Sequence, residues 1–267
     1  MTNAFKSSFL LAFSLILILS CGDSTPPEQS GASQNATVEA ANGEKKEQKK
    51  VILFFGNSLT AGYGLESHES FPSLIQARID SLGMSYEVIN AGVSGETTAT
   101  GSNRVKWVLE RQPVDVFVLE LGANDGLRGT PVAETKKNLE KIIDTVRDIY
   151  PQAVIILAGM MVPPSMGPEY STAFTKVFPE VAESKNVKLI PFLLDDVAGI
   201  DTLNLPDGIH PNAQGQKIVC DNVWETLATV LPRPKREFIF DYMKVSGSIE
   251  PESKFKIYLN QLPLGPG

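Results

Sequence analysis

Three features that together perform acyl transfer occur in this 267-residue chain: a serine after an apolar run, an Asp-x-x-His pair, and candidate hydrogen-bond donors for an oxyanion. Ser58 breaks the apolar run 51–55 in the stretch FFGNSLTAGYGL. A serine hydroxyl is a weak nucleophile and needs a base, usually a histidine oriented by a carboxylate. The chain has two histidines, His68 and His210. His210 follows Asp207 by three residues, a spacing that lets the carboxylate reach ring Nδ1 and turn Nε2 toward a serine on another loop. His68 sits in the polar segment SHES and reads as a solvated loop residue. The transition state also needs donors for its oxyanion. Gly95 offers a backbone N–H, Asn124 a side-chain N–H, and Ser58 its own N–H. Taken singly, Gly95 reads as a turn glycine, and Asn124, in Asn-Asp-Gly, as a β-turn former. A serine, an Asp-x-x-His pair and these donors on one sheet edge would be an acyl-transfer site.

The glycine density around Ser58 raises two other readings, and both fail. A phosphate-binding loop needs Gly-Lys-Ser/Thr, but Tyr63 follows Gly62 and no lysine is near. A dinucleotide fingerprint needs a third glycine where Ser67 stands. The nucleophile elbow Gly-x-Ser-x-Gly is also absent, because Thr60 takes the place of its last glycine. That, and a serine so early in the domain, argue against the α/β-hydrolase arrangement.

The elements that must position these residues alternate. Strand-like runs lie at 51–55, 86–89, 114–121, 154–157 and 187–192. Helical patterns lie at 71–82, 97–111, 132–149, 170–184 and 213–231, with Pro179 expected to break or kink the fourth. Apolar strands alternating with helices predict an α/β fold: a parallel sheet of five strands, covered on both faces. Functional loops then lie at the carboxyl ends of the strands, where Ser58, Gly95, Asn124 and the Asp207–His210 pair stand.

Four blocks appear in order: GNSLTAGYG with Ser58, AGVSGETT with Gly95, GANDGLRG with Asn124, and PDGIHPNAQG with Asp207 and His210. In these the chain resembles the SGNH (GDSL-type) hydrolases, in the branch of thioesterase I/lysophospholipase-like esterases and arylesterases. The resemblance covers about residues 50–231. It implies a flavodoxin-like three-layer α/β/α sandwich, a Ser58–His210–Asp207 triad, an oxyanion hole of Ser58, Gly95 and Asn124, no metal and no cofactor. One departure stands out: Asn57 occupies a position that is usually Asp, which predicts altered support for the nucleophile turn.

The remaining segments concern location and substrate. Lys6, an apolar stretch at 9–19 and Ser20-Cys21 resemble a bacterial lipoprotein signal, with a good match at Ser20 and Cys21 and a poor one at Leu19. The expected organisation is a signal peptide at 1–20, a lipid-bearing Cys21 opening a disordered tether at 21–49, the hydrolase domain at 50–231, and an extension at 232–267 carrying a hairpin. The expected location is an exported, membrane-anchored lipoprotein, periplasmic or on the cell surface. A net charge of −7, from 24 basic and 31 acidic residues, argues against nucleic acid as partner. The two cysteines, Cys21 and Cys220, make a poor disulfide framework. A monomer acting on a small ester or lipid is expected. Met160, Met161 and Met166 in the loop after the fourth strand are read as an acyl-chain wall, with a plain proline-stiffened loop as the equal alternative. The rival functions are deacetylation of carbohydrates and non-catalytic binding of lipid or glycan.

Overall fold

The computed structural model describes residues 49–233. The signal, Cys21, all but the last residue of the tether, and the C-terminal hairpin fall outside the described residues. The strands are β1 (Lys50–Gly56), β2 (Tyr86–Gly92), β3 (Val116–Glu120), β4 (Val154–Ala158) and β5 (Lys188–Ile190). All pair in parallel, in the order β2-β1-β3-β4-β5. This is the flavodoxin-like order. The helices are α1 (Ser58–Ala61), α2 (Phe71–Ser81), α3 (Thr98–Leu109), α4 (Ala123–Leu127), α5 (Val132–Ile149), α6 (Pro168–Ser184) and α7 (Ala213–Leu227).

Right-handed crossovers dictate the layers. The chain steps one way from β1 to β2 through α2, and the other way through α3, α5 and α6. The two helix sets therefore fall on opposite faces. α2 packs beside α7, and α3 beside α5 beside α6. The strands are apolar on both sides because both faces are covered. Ile52, Leu53, Phe54 and Phe55 of β1 are fully buried. Phe54 meets Phe71 of α2 edge-on at 5.4 Å on one face, and Phe55 stacks on Phe117 of β3 at 5.6 Å on the other.

Three expectations need correction. Pro179 neither ends nor interrupts α6, which runs through it from Pro168. Phe174, Val177, Phe178 and Val181 are buried along that helix, and their packing outweighs the local loss of one backbone donor. The fifth strand is only Lys188–Ile190, because Pro191 cannot donate to the ladder. The last helix ends at Leu227, and the residues to 230 turn rather than continue it.

The carboxyl end of β1 is unusually crowded. Gly56 lies opposite Gly92 of β2 and opposite Glu120 of β3. A Cβ on Gly92 would lie 2.3 Å from the Ala61 nitrogen, so α1 reaches the sheet edge only over a bare backbone. In the core, Phe117→Ala is expected to cost about 3–5 kcal/mol, read as a lowered midpoint in urea unfolding.

Candidate active site

β1 ends and the chain turns at once into α1. Asn57 caps this helix, its Oδ1 accepting from the Leu59 N–H at 2.9 Å. Ser58 is the first helical residue and is almost buried, with 8% of its surface exposed. Gly62 closes α1 in the left-handed region at φ 74°, its N–H bonded to the Ser58 carbonyl.

The loop before α7 supplies the histidine. Leu205 N–H donates to the His210 carbonyl at 2.7 Å, and Gly208 takes φ 68°, so residues 205–210 form a closed turn. Inside it, Asp207 Oδ1 accepts from the Ile209 and His210 N–H groups at 2.9 and 3.0 Å. Its Oδ2 is left to face His210 Nδ1 at 2.7 Å. With Nδ1–H donating there, Nε2 is the acceptor, and it lies 2.9 Å from Ser58 Oγ. Desolvation pushes the Asp207 carboxyl up. The N–H groups of His210 and Ile209 and the His210 ring outweigh it and hold the carboxyl at about 2. Tyr63 lies against the His210 ring at 4.6 Å, a contact the sequence did not single out.

Gly95 and Asn124 come together through cross-bracing between loops. Val93 N–H donates to the Gly56 carbonyl at 2.9 Å, tying the second loop to the first. Asn124 Nδ2 donates to the Glu96 carbonyl at 3.0 Å, which fixes the amide with its second hydrogen still available. Arg128 donates to the Gly95 carbonyl at 3.2 Å, and Gly95 is exposed at φ 80°. Asp125, which the sequence did not single out, is buried and accepts from Thr98 N and Oγ1 at 2.8 and 2.5 Å. Glu96 is buried and paired bidentately with Arg104, whose guanidinium covers the Phe55 ring at 4.1 Å.

The methionine wall is thinner than expected. Met160 is buried in the core, while Met161 is 48% exposed and Met166 lies near Gly129. His68 is exposed in a short 3-10 turn at Ser67–Glu69. Cys220 is buried, and desolvation raises its thiol to about 11.

Beneath α1 lies Glu120, which no sequence motif singles out. Its Oε1 accepts from Asn57 Nδ2 at 2.8 Å. Its Oε2 accepts from Asn57 N, Thr60 N and Thr60 Oγ1 at 3.0, 3.3 and 2.7 Å. The only signal in sequence was a charged residue near the end of the apolar strand run 114–121, which also holds Asp115 at its start. Burial pushes its carboxyl up and these hydrogen bonds pull it back only in part, leaving it at about 7. An unfolded glutamate ionises near 4.5, so between about 4.5 and about 7 the folded state keeps a proton the unfolded state has lost. Stability supplied at this position is therefore greatest below that window and declines as pH rises through it. The unfolding free energy of the wild type relative to Glu120→Gln should fall between pH 5 and 8. A difference independent of pH would contradict it.

The sequence profile of the GDSL-like lipase/acylhydrolase family matches residues 54–218. The chain is 36% identical to the esterase TesA of Pseudomonas aeruginosa over 182 residues, covering 68% of this chain and 90% of that protein. It is 36% identical to an arylesterase of Vibrio mimicus over 176 residues, covering 66% and 87% of the two chains. The crystal structure of the psychrotrophic esterase EstA from Pseudoalteromonas sp., inhibited by monoethylphosphonate, matches with a TM-score of 0.65 at 34% identity, over 68% of this chain and 98% of that one. The profile match runs from β1 into α7 and takes in every loop just described. By that extent and those identities, the chain belongs to the GDSL-like lipase/acylhydrolase family.

Proposed function

We propose that the protein is a serine esterase hydrolysing carboxylic esters of acyl or aryl groups, thioesters or lysophospholipids. The observation that carries the reading is the unbroken hydrogen-bond line from Asp207 Oδ2 through the His210 ring to Ser58 Oγ. Ser58 attacks the carbonyl carbon as His210 Nε2 takes its proton. Asp207 holds the ring and balances the imidazolium. The tetrahedral oxyanion is met by the Ser58 N–H, the Gly95 N–H and the second Asn124 Nδ2 hydrogen. The imidazolium then protonates the leaving alcohol or thiol, and water activated by the same ring cleaves the acyl-enzyme.

An apolar substrate moiety is favoured by the surroundings. Tyr63, Val93, Met161 and Ile209, in segments that follow the strands, and Leu127, at the end of α4, are large apolar residues with exposed surface, and Tyr63 lies against the His210 ring. Exposed apolar surface on these segments suits an acyl chain or aryl ring better than a glycan. Esterases among the similar proteins support the same class. A panel of p-nitrophenyl acetate, p-nitrophenyl octanoate, a lysophospholipid and acetylated xylan separates the readings: turnover confined to acetylated xylan would replace this one with carbohydrate deacetylation.

Export and anchoring rest on the sequence of the N-terminus. Residues 1–20 serve as signal, lipidated Cys21 as anchor, 21–49 as tether and 50–231 as the catalytic domain.

Ser58→Ala is expected to lower p-nitrophenyl butyrate turnover by more than about 10⁴-fold and to abolish fluorophosphonate labelling. Asn124→Ala should cost about 10²–10³ in kcat. With its carboxyl at about 2, Asp207 stays ionised from pH 8 to 5 and contributes no loss of activity over that range. Cys21→Ser should release the protein from membranes, and full retention there would refute lipidation at Cys21.

A further inference from the structure

Of the buried ionisable groups that take no part in the acyl-transfer steps, Glu120 is the one hydrogen-bonded to the residues flanking Ser58. Glu120 has no exposed surface, and all four of its donors belong to Asn57 and Thr60, the residues on either side of Ser58–Leu59. The carboxylate therefore grips α1 before and after the serine. Room for it exists because Gly56 has no side chain. A Cβ there would lie 2.5 Å from Glu120 Oε2 and 2.1 Å from Thr60 Oγ1.

A helix of four residues does not hold its shape alone, since fixing its backbone dihedrals costs more than its one or two hydrogen bonds return. Yet Ser58 Oγ must meet His210 Nε2, which arrives from a loop 152 residues further along the chain. Burying a carboxylate is costly, and an apolar residue would satisfy packing better. Packing alone thus leaves the polarity of Glu120 unexplained.

Building on the reading of Ser58 as nucleophile, we propose that Glu120 is the positioning residue of the reaction, its carboxylate setting the orientation of Ser58 toward His210 through Asn57 and Thr60. Asn57 is the matching partner. It faces Glu120 with a donor while its Oδ1 accepts from Leu59 N–H. The amide is thereby fixed from both ends, and turning it over would break both bonds. An aspartate at this position would set a second acceptor against Glu120 Oε1, and the two would be held together only while one of them carries a proton. With Asn57 the Oε1 bond needs no proton between the two side chains.

Reversing that polarity is the test. In Glu120→Gln, one amide end must face donors whichever way it turns, so the grip loosens. In the double variant Asn57→Asp with Glu120→Gln, the new amide at position 120 would donate to the new carboxylate at position 57, and the Leu59 cap would be kept. The single variant should lose about tenfold to a hundredfold in kcat on p-nitrophenyl butyrate, with KM nearly unchanged, as expected for a small misplacement of the reacting atom. Its rate of fluorophosphonate labelling at Ser58 should fall in step, and the double variant should recover most of both. Thr60→Val, which deletes the Oγ1 bond alone, should show a smaller loss of the same kind and carries the test should Glu120→Gln not fold. The proposal is overturned if the folded single variant keeps kcat and labelling within about twofold of wild type, given that 1 Å of displacement costs far more. It is equally overturned if the double variant is no better than the single, or if Thr60→Val is unaltered where Glu120→Gln does not fold. Failure of the wild type to label at Ser58 would instead remove the nucleophile reading on which this inference stands.

Discussion

A carboxylate with no exposed surface accepts four hydrogen bonds at the end of the β3 strand, and the arrangement around Ser58 hangs from it. The sheet edge sets up this contact. β1 and β3 are in register at Gly56 and Glu120, so the carboxyl group emerges beside the point where β1 stops. Gly56 leaves space for it, and Gly92 leaves space for α1 to lie across the next strand. Asn90 Nδ2 then holds the Thr60 carbonyl at 2.8 Å from the β2 side. A four-residue helix is thus held from two strands, which replaces the stability its length cannot supply.

The remaining loops are braced against one another rather than against the sheet alone. The second loop bonds to the first at Val93 and Gly56, and to the third at Glu96 and Asn124, at Thr98 and Asp125, and at Gly95 and Arg128. The fifth is shaped by its own turn, in which one Asp207 oxygen closes the backbone and the other faces the ring. Donors fixed before the substrate arrives need little reorganisation when charge develops. This bracing makes an oxyanion role for Gly95 and Asn124 physically reasonable, although both residues look like ordinary turn formers in sequence.

Much of the fold was legible because its signals are local. Apolar runs that end in glycine-rich loops, alternating with amphipathic stretches, announce a parallel sheet covered on both faces, and Thr-Pro and Ser-x-Pro starts announce helices. Misreadings came where tertiary contacts overrule local preference. Pro179 is tolerated because four buried neighbours hold α6 against the core. Met160 and Val162 both turn into the core, and Val162 lies against Gly126 of α4, so that loop packs inward rather than lining the surface. Two short helices, α1 and α4, carry no periodicity that a pattern could detect.

For the site, the sequence alone determined which residue types were present, their order, and one spacing, Asp207 to His210, short enough to dictate its own geometry through a turn. It also carried the oddity of Asn57. The tertiary structure decided what the oddity faces. Asn57 and Glu120 are 63 residues apart, and no local pattern relates them. Only the pairing of β1 with β3 brings them within a hydrogen bond, and a donor at position 57 meets Glu120 Oε1 without needing a proton between them. The meeting of Ser58 with His210 is likewise a product of sheet order, because strand ends that are distant in sequence share one edge.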